Sequence, residues 1–597
     1  MTALAAWTLV PVVFVALVTG WGLLADRALD RPMPASLLPG AGLSLLVVVT
    51  GLVVLVPGAG PLTISVAGVG ALAGLVLGRG RLRDADVGAW GPPLLAAAGV
   101  LVVHALPTLL DGAGVIGGDG RLDDSGTWLG LTDRVIEYGR DVDGLPPGTY
   151  TRVLQDYLGQ GYPVGSLLPV GVSARLSLQD TANAYQPVLA GYAVVLACSL
   201  YASVRTVVAS RVAAALAVFL AAQASLFYGY AQWGGVKELA TAALLATAAP
   251  LAVRAWRRDG ARDVALALVV AGALAGTLGV DGVPWILPAA GVALLGWIAV
   301  GGARRNLRAL PGLAVLAGVV ALPALVTADL LLKTSPTTFG ANAVSDAEKL
   351  GRLLAPLDLL QGAGLWPRED FRVLPDSPTL LRALALVVVV LAVWGLVVAL
   401  RRRAAAFPVL IATVGLGTVV IIAFGTPWID AKALAVTSPM VLALAGATVA
   451  RAAADERRPA ALLAAVVLIT GVGLSTVLVM RSTPAVPRAP LAELRDIGER
   501  FAGEGPTLFL AHQVYATRHF LRDMAVEGAS ERRDRFVYLR DGSLAPNYTE
   551  VNVESVAPAD LAVYRLIVRR REAPGRMPAG YRLAHQGEHW EVWRRPG

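Results

Sequence analysis

Lysine is scarce in this 597-residue chain, and its placement is informative. Of 51 basic side chains only those at 237, 333, 349 and 432 are lysines, and the others are arginines. Lys237 and Lys432 each begin a long apolar run with a carboxylate close by, Glu238 for the first and Asp430 for the second. A compact ammonium at a helix start is useful as a point charge for a phosphate or as the partner of a carboxylate. Further charges recur where apolar runs meet polar sequence: Asp123-Asp124, Asp281 in Gly279-Val280-Asp281-Gly282, and Arg368, Asp370 and Arg372 after Trp366. Charges at the rim of a membrane bundle are costly to desolvate and normally pair or serve a substrate. Together they suit transfer from a lipid-phosphate donor. A carboxylate at the rim can deprotonate a hydroxyl acceptor, and cations can neutralise the charge that develops on a departing phosphate. Asp124 is read as the base with Asp123 supporting it. Lys237 and Lys432, with Arg368 and Arg372 from a mobile loop, are read as donor-phosphate ligands, and Glu238, Asp281 and Asp430 as supporting groups.

The elements that position these groups are membrane spans. A hydrophobic fraction of 56%, a mean hydropathy of +0.63 and only 16% charged residues belong to a polytopic membrane protein. At about 20 apolar residues per crossing, fourteen spans are expected, centred near residues 15, 47, 70, 100, 195, 220, 244, 272, 292, 319, 390, 415, 440 and 469. Arginines cluster in alternate connections, among them Arg79–Arg83, Arg254–Arg262, Arg304–Arg308 and Arg401–Arg403. The positive-inside rule makes these loops cytoplasmic. Both termini, the loops 111–185 and 329–379, and the tail after residue 481 then face outward, in a plasma-membrane protein. The net charge of +8 follows from this topology and implies no nucleic acid. Cys198 is the only cysteine and sits inside a span, so there is no disulfide framework and no thiol metal site.

The loop 111–185 holds ten acidic residues and five arginines between Asp111 and Asp180. Apolar residues at 128, 129, 131, 135, 136 and 138 predict a helix lying on the membrane surface, with Asp133, Arg134 and Glu137 facing water and Ser125 or Thr127 as its cap. Residues 481–597 read as a small extracytoplasmic α/β domain beyond a transmembrane domain, 1–480. In it, an amphipathic helix at Leu491–Phe501 precedes strands near Thr507–Ala511, Phe536–Leu539, Leu561–Arg569, Tyr581–Ala584 and Trp590–Trp593, with a helix at Tyr515–Met524. His512, His519, His585 and His589 fall in this tail without zinc-like spacing and are read as surface or structural residues. No nucleotide-binding or hydrolase motif stands where its mechanism requires. No cofactor is implied, apart from an optional divalent cation.

Many spans, a first large outer loop with an interfacial helix and an acidic pair, a second outer loop and an α/β tail resemble the C-type (GT-C) membrane glycosyltransferases. That resemblance implies a mainly α, GT-C-like bundle moving a sugar from a polyprenyl-phosphate donor to a cell-envelope glycan, lipid or protein acceptor. Protein O-mannosyltransferases carry an Asp-Glu pair in the corresponding loop, and Asp123-Asp124 would be its match. Here three spans precede the acidic loop, whereas in the family it usually follows the first. The stretches Arg121–Tyr138, Trp233–Glu238, Gly364–Arg372, Pro427–Leu434 and Tyr581–Arg595 also look like a group of actinobacterial membrane proteins. A non-catalytic envelope scaffold, or a transporter or flippase of lipid-linked sugars, is the alternative. The spans are poor in central charge and show no repeat, which disfavours transport.

Overall fold

The structure is a computed structural model that describes residues 3–83, 87–112, 114–118, 122, 124–258, 260–334, 350–374, 377–454, 458–531 and 534–596. The first part is helical: α1 (Ala3–Ala28), α2 (Leu38–Val53), α3 (Leu62–Leu77) and α4 (Val87–Asp111). Strand β1 (Gly114–Gly117) and helices α5 (Asp124–Tyr138), α6 (Thr149–Tyr157) and α7 (Leu168–Leu176) form the first long loop. Then come α8 (Thr181–Val204), α9 (Arg211–Ala221), α10 (Ser225–Trp233), α11 (Val236–Arg258), α12 (Ala261–Leu278), α13 (Val283–Ala299) and α14 (Leu310–Thr334). The last of the bundle are α15 (Pro378–Arg401), α16 (Ala406–Phe424), α17 (Pro427–Ala452) and α18 (Arg458–Ser482).

Among the described residues eleven helices are long and apolar enough to cross a membrane, or twelve if α9 and α10, bent by 56°, are one span. Two features separate this from the expected fourteen. Helix α3 has only 16 residues. Residues Ala261–Ala299 form one apolar helical run of 39 residues, about 58 Å at the α-helical rise and near twice the hydrocarbon thickness. Gly279, at φ +61°, breaks that run between α12 and α13, so it has the length of two crossings. Helices α8 and α11 are buried along almost their whole length, whereas α14 is exposed over most of its surface. The first two are therefore the axis of the bundle.

The first three helices pack through glycine. A Cβ on Gly42 of α2 would collide with the Val18 carbonyl of α1, and one on Gly74 of α3 with the Gly20 carbonyl of α1. Small residues let helix backbones approach closely where lipid offers no hydrophobic drive. Gly42→Leu must push α1 and α2 apart, and overpacking of this kind costs about 1–3 kcal/mol. The expected outcome is a lower melting temperature in detergent, with Gly80→Leu, where a Cβ meets nothing within 4 Å, as the neutral control.

The last part begins with β2 (Ala485–Pro487), which pairs antiparallel with β1 across the length of the bundle sequence. Helix α19 (Arg488–Arg500) follows, then β3 (Thr507–Phe509), β4 (Val526–Gly528), β5 (Leu566–Arg570), β6 (Arg582–Gln586) and β7 (Trp590–Arg594) in one mixed sheet of order β4-β3-β5-β7-β6. Strands β3, β4 and β5 are parallel neighbours, and β7 runs antiparallel to β5 and β6. The expected helix at Tyr515–Met524 is reduced to a short π-turn over Ala516–Phe520. That turn docks on α5. Gly126 and Gly130 lie one turn apart on α5, and a Cβ on either would run into the carbonyls of Val514 and Arg518.

Candidate functional site

The site starts from a tight turn. Helix α10 ends at Gly234 in the left-handed region, φ +93°, and α11 begins two residues later. Three groups hold this turn. The Tyr185 hydroxyl of α8 donates to the Gly234 carbonyl at 2.6 Å, and the Ser125 hydroxyl of α5 donates to the Trp233 carbonyl at 3.3 Å. Gln186, also on α8, donates to the Ala231 carbonyl at 2.8 Å. A side chain at Gly234 would meet Ser125, so only glycine serves both the φ angle and the approach of α5. The first residues of α5 and of α11 are thereby brought to one place.

Lys237, Glu238 and Lys432 converge there with Asp281 and Asp124. The Lys432 ammonium of α17 lies 3.4 Å from the Glu238 carboxylate of α11, and the Lys237 ammonium lies 3.9 Å from Asp281, in the break between α12 and α13. Asp281 is 73% exposed and Lys237 only 13%, so the lysine is the fixed member of that pair. Asp124 lies within electrostatic reach of both ammonium groups. It opens α5, where the positive end of the helix dipole favours its ionised form. Ser125 and Thr127, expected as caps, do other work: Ser125 holds the turn, and Thr127 accepts a hydrogen bond from Arg518 at 2.9 Å.

Other expected groups take different places. Lys432 pairs across helices with Glu238 rather than with Asp430, whose Oδ1 is buried with no hydrogen-bond partner among the described residues. Arg372 is held by the Asp370 carboxylate at 2.7 Å and lies over the Trp233 ring at 4.7 Å. Its charge is already matched. The segment around it is packed rather than mobile: Leu365, Trp366 and Phe371 are buried, and Phe371 lies 4.3 Å from Trp233 between ring centres. Arg368 is half-buried in the turn just after Trp366. Asp123, expected to support Asp124, and Lys349 fall outside the described residues.

Aromatic side chains complete the site, and the sequence reading passed over them. The Tyr162 ring lies under the Lys237 ammonium at 4.4 Å and stacks on Trp128 at 4.8 Å. A cation over an aromatic face is favoured by about 0.5–2 kcal/mol. Burial first, and then the charges of Asp124, Glu238 and Asp281, hold the Tyr162 phenol well above its ordinary range. It is therefore neutral and available to donate a hydrogen bond. Among the described residues no three His, Cys, Asp or Glu side chains are grouped to hold a metal ion.

Helix α5 does not present Asp133 to solvent. Asp133 is 2% exposed because the π-turn from the last part of the chain covers it, whereas Arg134, 6% exposed, turns into its own loop, donating to the Asp141 carbonyl and lying over the Tyr138 ring. His519 of that turn is fully buried between two carboxylates, with Nδ1 2.8 Å from Asp133 and Nε2 2.9 Å from Asp180. A carboxylate beside each nitrogen favours the doubly protonated ring. Burial alone would lower its pKa, but the Asp180 and Asp133 charges raise it to about 9. Burial would likewise raise both carboxyls, yet His519 and Arg522 hold them below the usual carboxylate range. Asp180 also caps α8, accepting from the Ala182 amide at 2.8 Å. One imidazolium thus ties α5, the start of α8 and the C-terminal sheet together. The sequence did carry a signal of this contact, the Gly126-x-x-x-Gly130 spacing on a helix.

No family model matches the chain, and no match to a curated protein was found. Solved structures similar to it include two membrane proteins. ArnT from Cupriavidus metallidurans bound to undecaprenyl phosphate is 13% identical, with a TM-score of 0.43 over 85% of this chain and 98% of that one. The oligosaccharyltransferase of Archaeoglobus fulgidus, in complex with zinc and sulfate, is 12% identical, with a TM-score of 0.40 over 80% of this chain and 68% of that one. At these values the assignment of individual residues rests on the geometry above.

Proposed function

We propose that the chain transfers a sugar from a polyprenyl-phosphate donor to a hydroxyl acceptor of the cell envelope, at the face where α5, α11 and α17 begin. The observation that carries this reading is the convergence of two lysines from separate spans, Lys237 and Lys432, beside Asp124 and Glu238. A prenyl chain anchored in the bilayer holds its phosphate at the interface, and that is where both helices start. The phosphate would displace the weakly held, exposed Asp281 carboxylate from Lys237 and bridge the two ammonium groups. Asp124 then takes the proton of the acceptor hydroxyl. The acceptor oxygen attacks the anomeric carbon, and the bond from that carbon to the phosphate oxygen breaks with its electron pair on the leaving phosphate. The lysines neutralise the charge gained there. A single base and a direct displacement give inversion at the anomeric carbon. The neutral Tyr162 hydroxyl is placed to orient the donor.

Donor binding tests this assignment separately from catalysis. Lys432→Ala is expected to weaken the binding of polyprenyl phosphate by about tenfold, the value of one charge-assisted contact, with Lys432→Arg retaining part of it. The measurement is a titration of the purified chain in nanodiscs. Binding unchanged by Lys432→Ala and Lys237→Ala, singly and together, would remove the lysines from the donor site.

A further inference from the structure

The candidate site lies at the start of α8, and a separate cavity follows that helix towards its other end. An apolar cavity of about 540 Å³ opens between α1, α4 and α8. One end of the cavity is formed by Phe14 and Gly191, halfway along their helices, and its walls include Leu94 and Leu101. Its other end is formed by Arg205, just after α8, and Arg211, at the start of α9, beside Trp90. The cavity is thus lined by apolar side chains along its length and by two arginines at one end, beside an indole, a residue favoured at membrane interfaces.

Its dimensions match one leaflet. Gly191 and Arg205 both line it, and along one helix they are separated by about 21 Å. The hydrocarbon of a single leaflet is about 15 Å deep, which leaves the remainder for a head group. Arg205 and Arg211 belong to the connections that the positive-inside rule places in the cytoplasm, where membrane surfaces are anionic. Arg205 donates to the Val208 carbonyl at 2.6 Å and to that of Ala209. Those bonds fix its guanidinium at the mouth and use a single one of its nitrogens, Nη1. The arginine end is otherwise drawn together by its own contacts: Arg254 pairs with Asp263 and donates to Pro32, and Arg262 pairs with Asp30 at 2.7 Å.

We infer that this cavity binds one anionic phospholipid of the cytoplasmic leaflet, with an acyl chain running from Trp90 towards Phe14 and Gly191 and its phosphate on Arg205 and Arg211. The same helix that carries Arg205 at one end carries Asp180 and Tyr185 at the other, so the lipid would brace the axis on which the candidate active site is built. This assignment does not depend on the reaction proposed above.

The test is native mass spectrometry of the purified, delipidated full chain, with phosphatidylglycerol and phosphatidylcholine offered at equal concentration. Phosphatidylglycerol is expected to be retained at least about tenfold better, from two basic side chains at a membrane surface. Arg211→Glu, at an exposed position, should remove that preference while the chain keeps its fold. Arg205→Ala should do the same, with some loss of stability because it also caps its own loop. Ala98→Trp, exposed and lining the cavity, should fill it and reduce retention of both lipids. Equal retention of the two lipids by the wild type, or a preference that survives Arg211→Glu, would overturn the proposal. So would undiminished retention in Ala98→Trp.

Discussion

Asp124→Asn is expected to lower the rate of sugar transfer by about 10²- to 10⁴-fold, the range that general-base catalysis supplies, while the chain stays folded. Asparagine keeps the shape of the side chain and the first turn of α5 but cannot accept the proton. Donor binding should change far less, because the lysines rather than Asp124 are assigned to the phosphate. The pH profile separates a base from a structural residue. The wild type should lose kcat/KM at low pH as Asp124 is protonated, and the residual activity of the variant should lack that limb. An Asn variant with the wild-type rate and limb would leave the chain a binding or scaffold protein with this fold. A variant that loses donor binding as well would make Asp124 a structural member of the site.

The second large effect concerns His519. Replacing it with alanine removes the cation held between Asp133 and Asp180, and leaving buried charges uncompensated costs about 3–5 kcal/mol. The loss should appear in α5, through Asp133, and at the start of α8, through Asp180. Amide exchange over residues 124–138 is expected to speed by roughly 100-fold or more, with little change in α12 to α14. Its pH dependence has a fixed sign. The His519 pKa is raised from its ordinary 6.5 to about 9, so its contribution is complete below about pH 6.5 and is lost as the pH rises through 9. The span between those values corresponds to roughly 3 kcal/mol. The Asp133 and Asp180 carboxyls are lowered, so their contribution is present above pH 4 or so and is lost in acid. The docking of α5 is therefore firmest between about pH 4 and 6.5. His519→Gln should abolish the alkaline weakening. Wild-type exchange over 124–138 that does not change between pH 6.5 and 9 would remove His519 from this role.

The bundle was legible in the sequence because a span states itself locally, as a run of apolar residues long enough for a bilayer. Lys237 and Lys432 were legible for a related reason: a composition that otherwise favours arginine left them standing out at two helix starts. The partners were not. Lys432 has an acid two residues away, and sequence proximity suggests Asp430, but side chains two apart on a helix do not face each other. The acid that meets it is Glu238, from another span. Asp133 misled for a different reason. With Arg134 and Glu137 it makes a charged stripe on an amphipathic helix, which usually faces water. Here His519, far along the chain, covers Asp133, while Arg134 turns into its own loop and Glu137 stays partly exposed against Arg175; only the Gly126-x-x-x-Gly130 spacing hinted at a cover that distant. Trp128 stood only as one apolar position of the surface helix and Tyr162 carried no signal of its own, and only the placement of Lys237 gives their faces a use.

The pairing of β1 with β2, and of His519 with α5, fixes an order of events during biosynthesis. Arg518 and Thr127 are separated by 391 positions. At about 5–20 residues per second, α5 leaves the ribosome roughly 20 to 80 seconds before the segment that covers it. Throughout that interval Asp133 and Asp180 have no imidazolium, and the glycine face of α5 has nothing docked on it. The candidate site can assemble fully only once the last segment has been synthesised. Nascent chains stalled before residue 519 should therefore carry a complete set of spans and no activity, and their first long loop should be open to proteases and chaperones of the compartment it enters.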